Sequence, residues 1–160
     1  MKKSLKILAM IAIATVLSCG GNDKKKEESS YGKKAPAPVE NKVPASERID
    51  LSNKGVGPIK SVTLDAEIDQ AMAAHGMEVY NNMCLACHKV DKKFIGPPPT
   101  GILKRRAPEW VMNMILNPEE MTQKDPLAHD LLLEYNGSPM ANQNMSEEQA
   151  RQMVEYFRTL

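Results

Sequence analysis

The chain has 160 residues, room for one modest domain with extensions, and its 42% hydrophobic content includes one Trp, four Tyr and two Phe against 11 Met. Twenty-one basic and 20 acidic side chains leave a net charge of +1, which excludes a strongly basic nucleic-acid binder, so no nucleic-acid partner is expected. Three cysteines are too few for a disulfide scaffold, and no apolar stretch reaches the roughly 18 residues of a membrane-spanning helix.

Lys2, Lys3 and Lys6 lead into an apolar run from Ile7 to Leu17, 11 residues long. That is the length of a signal-peptide core and too short to cross a bilayer. The run ends in Val16-Leu17-Ser18-Cys19-Gly20. A small residue before Cys and a Gly after it resemble the cleavage site of bacterial lipoproteins. The resemblance implies that residues 1–18 are a signal peptide and that Cys19 becomes the lipidated first residue of the mature chain. The alternative is an ordinary secretory peptide cut elsewhere. Both readings export the protein; the first leaves it lipid-anchored at the periplasmic face of a bacterial membrane, inner or outer. Several acyl chains on one Cys anchor stably, because each buried CH₂ contributes about 0.8 kcal/mol.

Residues 19–46 are rich in Gly, Ser, Lys, Glu and Pro. Such a segment buries too little to offset its ordering entropy, so a disordered tether is expected. As a coil it reaches about 30 Å, and about 90 Å at full extension. In residues 47–64, Ile49, Leu51, Val56, Ile59, Val62 and Leu64 recur with Gly and Pro between them, which predicts an extended segment lying against the domain. Charge is divided unevenly: residues 19–64 carry nine basic and six acidic side chains, residues 65–160 nine basic and 14 acidic.

A helix is predicted over residues 67–83, starting near Asp65 or Asp69, with Ile68, Met72, Gly76, Val79, Tyr80 and Met83 at the 3–4 spacing of one buried face. It runs into Cys84-Leu85-Ala86-Cys87-His88. Three chemistries use such residues. The spacing suits covalent attachment of a c-type haem, with both thiols presented by one turn and the imidazole beside them. A thioredoxin-like dithiol also uses CxxC, but opens a helix after a strand, whereas this motif follows a helical pattern. A structural zinc site wants four ligands, and His75 and His129 have no paired spacing. Export favours the haem, because c-type attachment happens outside the bacterial cytoplasm.

Downstream, Gly96-Pro97-Pro98-Pro99-Thr100-Gly101 forbids helix and forces an extended loop. Lys104-Arg105-Arg106-Ala107 precedes Pro108 and Glu109, which suit a first helical turn, and a helix is predicted over 108–116. An amphipathic pattern marks a further helix over 126–135. Asn136-Gly137-Ser138-Pro139-Met140 reads as a loop. Ser146-Glu147-Glu148-Gln149 is a capping box that opens the last helix, 146–159, with Met153, Tyr156 and Leu160 on one face.

Taken in this order, residues 69–160 resemble the class I cytochrome c family. The resemblance implies an all-α fold, with helices of a domain spanning 65–160 packed around one covalent haem c held by Cys84 and Cys87. His88 is then the first axial iron ligand. Gly76 matches the small residue that lets the first and last helices cross closely, with Tyr80, Met153 and Tyr156 packing there. The Pro97 carbonyl matches the acceptor of the axial histidine's Nδ1–H, which fixes ring orientation and tautomer. Pro99 departs from the family, which usually carries Leu there. Arg105 and Trp110 match residues that hold the haem propionates; the plainer alternative is a solvated basic loop and a core Trp. For the second ligand the resemblance favours Met140, in the loop before the last helix. Met145, His75 and His129 are the other candidates, while Met112, Met114, Met121 and Met153 read as core.

A His/Met pair leaves the iron no open position and raises its potential, so the resemblance implies a carrier of single electrons and not an enzyme. An open distal site would instead make a haem enzyme or gas sensor, and a free CxxC a thiol-disulfide oxidoreductase. Expected partners are a quinol-oxidising donor and a terminal oxidase or copper reductase. Nitrous oxide reductase is suggested by a loose resemblance of the Arg105–Trp110 and Asn117–Met121 segments to cytochromes of such systems. A haem-sized space is expected between Cys84, Cys87 and His88 on one side and Met140 on the other, lined by Pro97, Pro98, Ile102, Trp110 and Ile115.

Overall fold

The computed structural model describes residues 43–160. Cys19, the signal peptide and most of the tether lie outside them. Among the described residues there are five α-helices and one 3₁₀ turn, with a single isolated parallel bridge between Asp50 and Arg106 and no strand. The fold is all-α.

Helix α1 spans Gln70–Met83. Asp69 caps it, accepting from the Met72 amide at 2.9 Å, so of the two predicted starts the later one holds. Its buried residues are Ala73, Gly76 and Tyr80. Met83 of the predicted apolar face is exposed. After the Ile102–Lys104 3₁₀ turn come α2 (Pro108–Leu116), α3 (Pro118–Lys124), α4 (Pro126–Glu134) and α5 (Glu147–Arg158). Three of these begin with Pro, whose fixed φ and missing N–H suit the first helical position. Helix α3 was not among the sequence expectations, although Pro118, Glu119 and Glu120 are its opening turn. With only seven residues it shows too little periodicity to register as an element.

Helices α1 and α5 cross at the centre of the domain. A Cβ on Gly76 would collide with the Gln152 carbonyl, so only glycine permits this approach. Around the crossing, Tyr80, Tyr156 and Phe157 form a ring cluster with centroids 5.4–6.1 Å apart in tilted and edge-on arrangements. The Ser146 and Gln149 capping box opens α5. On α5, Glu155 is buried but paired with Arg151 and Arg158, and Arg158 also donates to the carbonyls of Asp65, Ala66 and Glu67 ahead of α1.

Residues 43–64 run over the other helices without regular structure. Asn113 of α2, fully buried, organises them. Its amide donates to the Lys54 and Ile59 carbonyls and its oxygen accepts from the Ile59 N–H. Ile59 is buried, and Val56, Val62 and Leu64 pack against the core. Ile49 and Leu51 are 72% and 56% exposed, against the expectation that they pack. The tether boundary also needs correction. Residues 43–46 belong to the folded part: Ala45 is 3% exposed, and Ser46 bonds to Glu134 of α4. Composition alone could not show this, because the energy comes from partners almost ninety residues away.

Candidate haem site

Helix α1 ends where the chemistry begins. Cys84 is its C-cap and donates to the Tyr80 carbonyl at 2.9 Å. The amides of Cys87 and His88 both return to the Cys84 carbonyl, at 3.0 and 2.9 Å. One tight turn therefore carries both sulfurs and the imidazole. Both thiols are free, Cys84 half-buried and Cys87 exposed. Burial, and secondarily the neighbouring Cys87, push the Cys84 thiol up to about 11. The motif closes a helix instead of opening one after a strand, which weighs against a thioredoxin-like dithiol. Among the described residues no group of three or more His, Cys, Asp and Glu is placed to hold a metal ion, which weighs against zinc.

The His88 ring is fixed from several directions. Its Nδ1 lies 2.8 Å from the Pro97 carbonyl. A carbonyl only accepts, so Nδ1 carries the proton and Nε2 keeps a lone pair for a metal. A Cβ on Gly96 would strike the imidazole, so the loop closes on the ring only with glycine there. The Gly96 amide donates to the Cys87 carbonyl at 2.9 Å, and Thr100 donates through its amide and hydroxyl to the Val90 carbonyl. From α1, the Tyr80 hydroxyl donates to the His88 carbonyl at 2.7 Å. Sequence reasoning found Tyr80 as a packing residue and missed this bond. Burial, with Tyr156 and Cys84 adding, pushes the Tyr80 hydroxyl up to about 12, so it remains a donor.

The other expected site residues divide. Met140 is half-buried against the core, in the loop between α4 and α5, and Met145 in the same loop is placed likewise. His75 is exposed on α1, and His129 on α4 has its Nδ1 3.2 Å from the Thr122 carbonyl. Arg105 is half-buried and donates twice to the Thr100 carbonyl, at 3.2 Å each. Trp110 requires a correction: it is 2% exposed, and its indole N–H donates to Asp125 at 3.1 Å, so that donor is committed inside the core and is not offered to a propionate. The buried guanidinium of the basic run is Arg106, which holds the carbonyls of Ala45, Arg48 and Arg105 and stacks over Trp110 at 5.3 Å. Cavities open on the described part of the chain. One of about 580 Å³ lies among Val43, Arg48, Ile49, Asp50 and Leu127, and one of about 290 Å³ among Val79, Asn82, Met83, Gln143 and Met145. Neither is lined by Cys84, Cys87, His88 or Met140, so neither is the expected haem-sized space.

Two thiols and a tautomer-fixed imidazole on one turn, in an all-α fold, define a site for covalent haem, and comparison with known proteins agrees. The family model for cytochrome c matches residues 73–160. A cytochrome c from Rhodothermus marinus superposes with a TM-score of 0.63 at 41% identity, covering 72% of this chain and 92% of that one. An engineered form of the Rhodothermus marinus protein, bound to the carbene intermediate 1-ethoxy-1-oxopropan-2-ylidene, gives 0.60 at 40% identity, covering 72% and 93%. A further engineered form gives 0.62 at 40% identity. No curated protein matches. The chain belongs to the cytochrome c family, and its cofactor is a covalently bound haem c.

Proposed function

We propose that this protein passes single electrons through a haem held by Cys84 and Cys87 and ligated by His88 and Met140. The observation that carries the reading is the His88–Pro97 bond, which leaves Nε2 aprotic in a ring that cannot turn away. Bound in such a site, haem supplies a one-electron couple whose potential a thioether ligand raises. The chain's own part is to hold the imidazole, to shield Cys84 from water, and to close the remaining coordination position with Met140, so that substrate finds no vacancy. The exported, lipid-anchored reading through Cys19 belongs to the same proposal. An anchored chain shuttles over a short reach between a quinol-oxidising donor and a terminal oxidase or copper reductase, with nitrous oxide reductase as one acceptor to test.

Carbon monoxide binding to the reduced protein at neutral pH tests the ligand set. A closed site leaves the spectrum unchanged, and ready binding would mean an open distal position and a sensor or enzyme. Oxidation of the reduced protein by each candidate acceptor, followed spectroscopically, tests the partner.

A further inference from the structure

The segment from Val43 to Asn53 grips α4 at three points. Ser46 donates through its amide and hydroxyl to the two carboxylate oxygens of Glu134, at 2.9 and 2.5 Å. Arg48 donates to Asp130 at 2.5 Å, in a pair largely shielded from water. Asn53 donates to Asp125, the α4 N-cap, at 2.7 Å. Asp130 and Glu134 are one turn apart and share a face of the helix. The segment's other side is fastened to the basic run: the Asp50 amide donates to the Arg105 carbonyl at 2.9 Å, and Arg106 holds the Ala45 and Arg48 carbonyls.

Glu134 is the last residue of α4 and stands six residues before Met140. Between them the chain reverses through Asn136 and Gly137, both at positive φ, with the Gly137 amide returning to the Leu132 carbonyl at 2.8 Å and Ser138 to Tyr135 at 3.1 Å. From Ser138 to Ser146 the backbone is irregular, so the loop takes its upstream placement from the end of α4. We propose that Ser46 and Arg48 are positioning residues for Met140. By fixing where α4 ends, they hold the loop that brings the thioether to the iron. The inference rests on the proposed Met140 ligation. Its physical content is a population: loosening α4 raises the fraction of molecules with Met140 withdrawn, and an external ligand's apparent affinity rises by the same factor.

The test uses the full-length, haem-loaded protein in its oxidised state, with imidazole as the external ligand. The S46A/R48A double variant is expected to bind imidazole about fivefold more tightly, a change of about 1 kcal/mol. Its Gly137 and Ser138 amides are expected to exchange about fivefold faster, with the methionine-to-iron charge-transfer band intact when imidazole is absent. Arg151→Ala, which removes a partner of Glu155 on α5, serves as a destabilised control and is expected to leave both readouts unchanged. Glu134→Gln, the milder variant, moves both readouts in the same direction if the double variant does not fold. Wild-type imidazole affinity in the folded double variant, or in Glu134→Gln where that alone folds, overturns the proposal, as does an equal response in Arg151→Ala. Met140→Ala separates this from failure of the ligand reading: a band that survives in that variant removes Met140 as ligand, whatever the Val43–Asn53 segment does.

Discussion

His88 and Met140 are held in opposite ways. The histidine is gripped by its immediate surroundings: its amide by Cys84, its carbonyl by Tyr80, its ring by Pro97 and Gly96, all within nine residues. The methionine sits in an irregular loop between exposed neighbours, Pro139 and Ala141. The upstream end of that loop follows α4, whose own anchors are remote, such as the Ser46–Glu134 bonds spanning 88 residues. A ligand held locally resists exchange. If Met140 ligates as proposed, it is held through distant contacts and is the weaker point of the site, where potential and ligand access would be set.

The largest expected effect breaks the local side of that contrast. With Cys84→Ser and Cys87→Ser combined, covalent haem disappears completely, read as loss of haem peroxidase staining on a denaturing gel. Persistent staining would place attachment elsewhere. Next is the distant side. Met140→Ala removes the methionine-to-iron charge-transfer band of the oxidised protein and lowers its potential, while Met145→Ala leaves both. The reverse pattern would move the ligand to Met145.

A smaller effect tests the frame both sides share. Gly76→Ala forces a Cβ against the Gln152 carbonyl and costs about 1–3 kcal/mol, measured by denaturant unfolding of the holoprotein. An unchanged midpoint would show that the two helices separate freely. The smallest effect sharpens the grip on His88. Tyr80→Phe leaves the His88 carbonyl without its donor and costs about 1 kcal/mol. Because the Tyr80 hydroxyl is raised from 10.0 to about 12 by burial, its contribution is complete below about pH 10 and is lost as pH rises to about 12. Stability therefore falls over that interval in the wild type and falls less in Tyr80→Phe. Tyr135 and Tyr156, also raised by burial, keep part of the slope. An identical slope in both proteins would remove Tyr80 from the account.

The haem motif, the proline loop, four helices and the α5 capping box were legible because each is written in neighbouring residues. Thiol spacing, proline's fixed φ, a 3.6-residue period and a Ser-to-Gln return bond all act over a turn or two. The bond from His88 to Pro97 and the close approach at Gly76 came from the family resemblance, and the structure carries the same pairs. What stayed hidden depends on partners far along the chain. Trp110 reads the same in sequence whether its N–H meets a propionate or Asp125, and only packing assigns it to Asp125. Arg105 and Arg106 are adjacent and chemically alike, yet Arg106 is the buried one because the Ala45 and Arg48 carbonyls converge on it. Residues 43–46 have the composition of a tether and are ordered by α4. Local chemistry determined the haem attachment, whereas the course of the Val43–Asn53 segment, the buried guanidinium and the placement of the Met140 loop were decided by tertiary structure, since a hydrogen bond is fixed by where its two ends meet and not by either end alone.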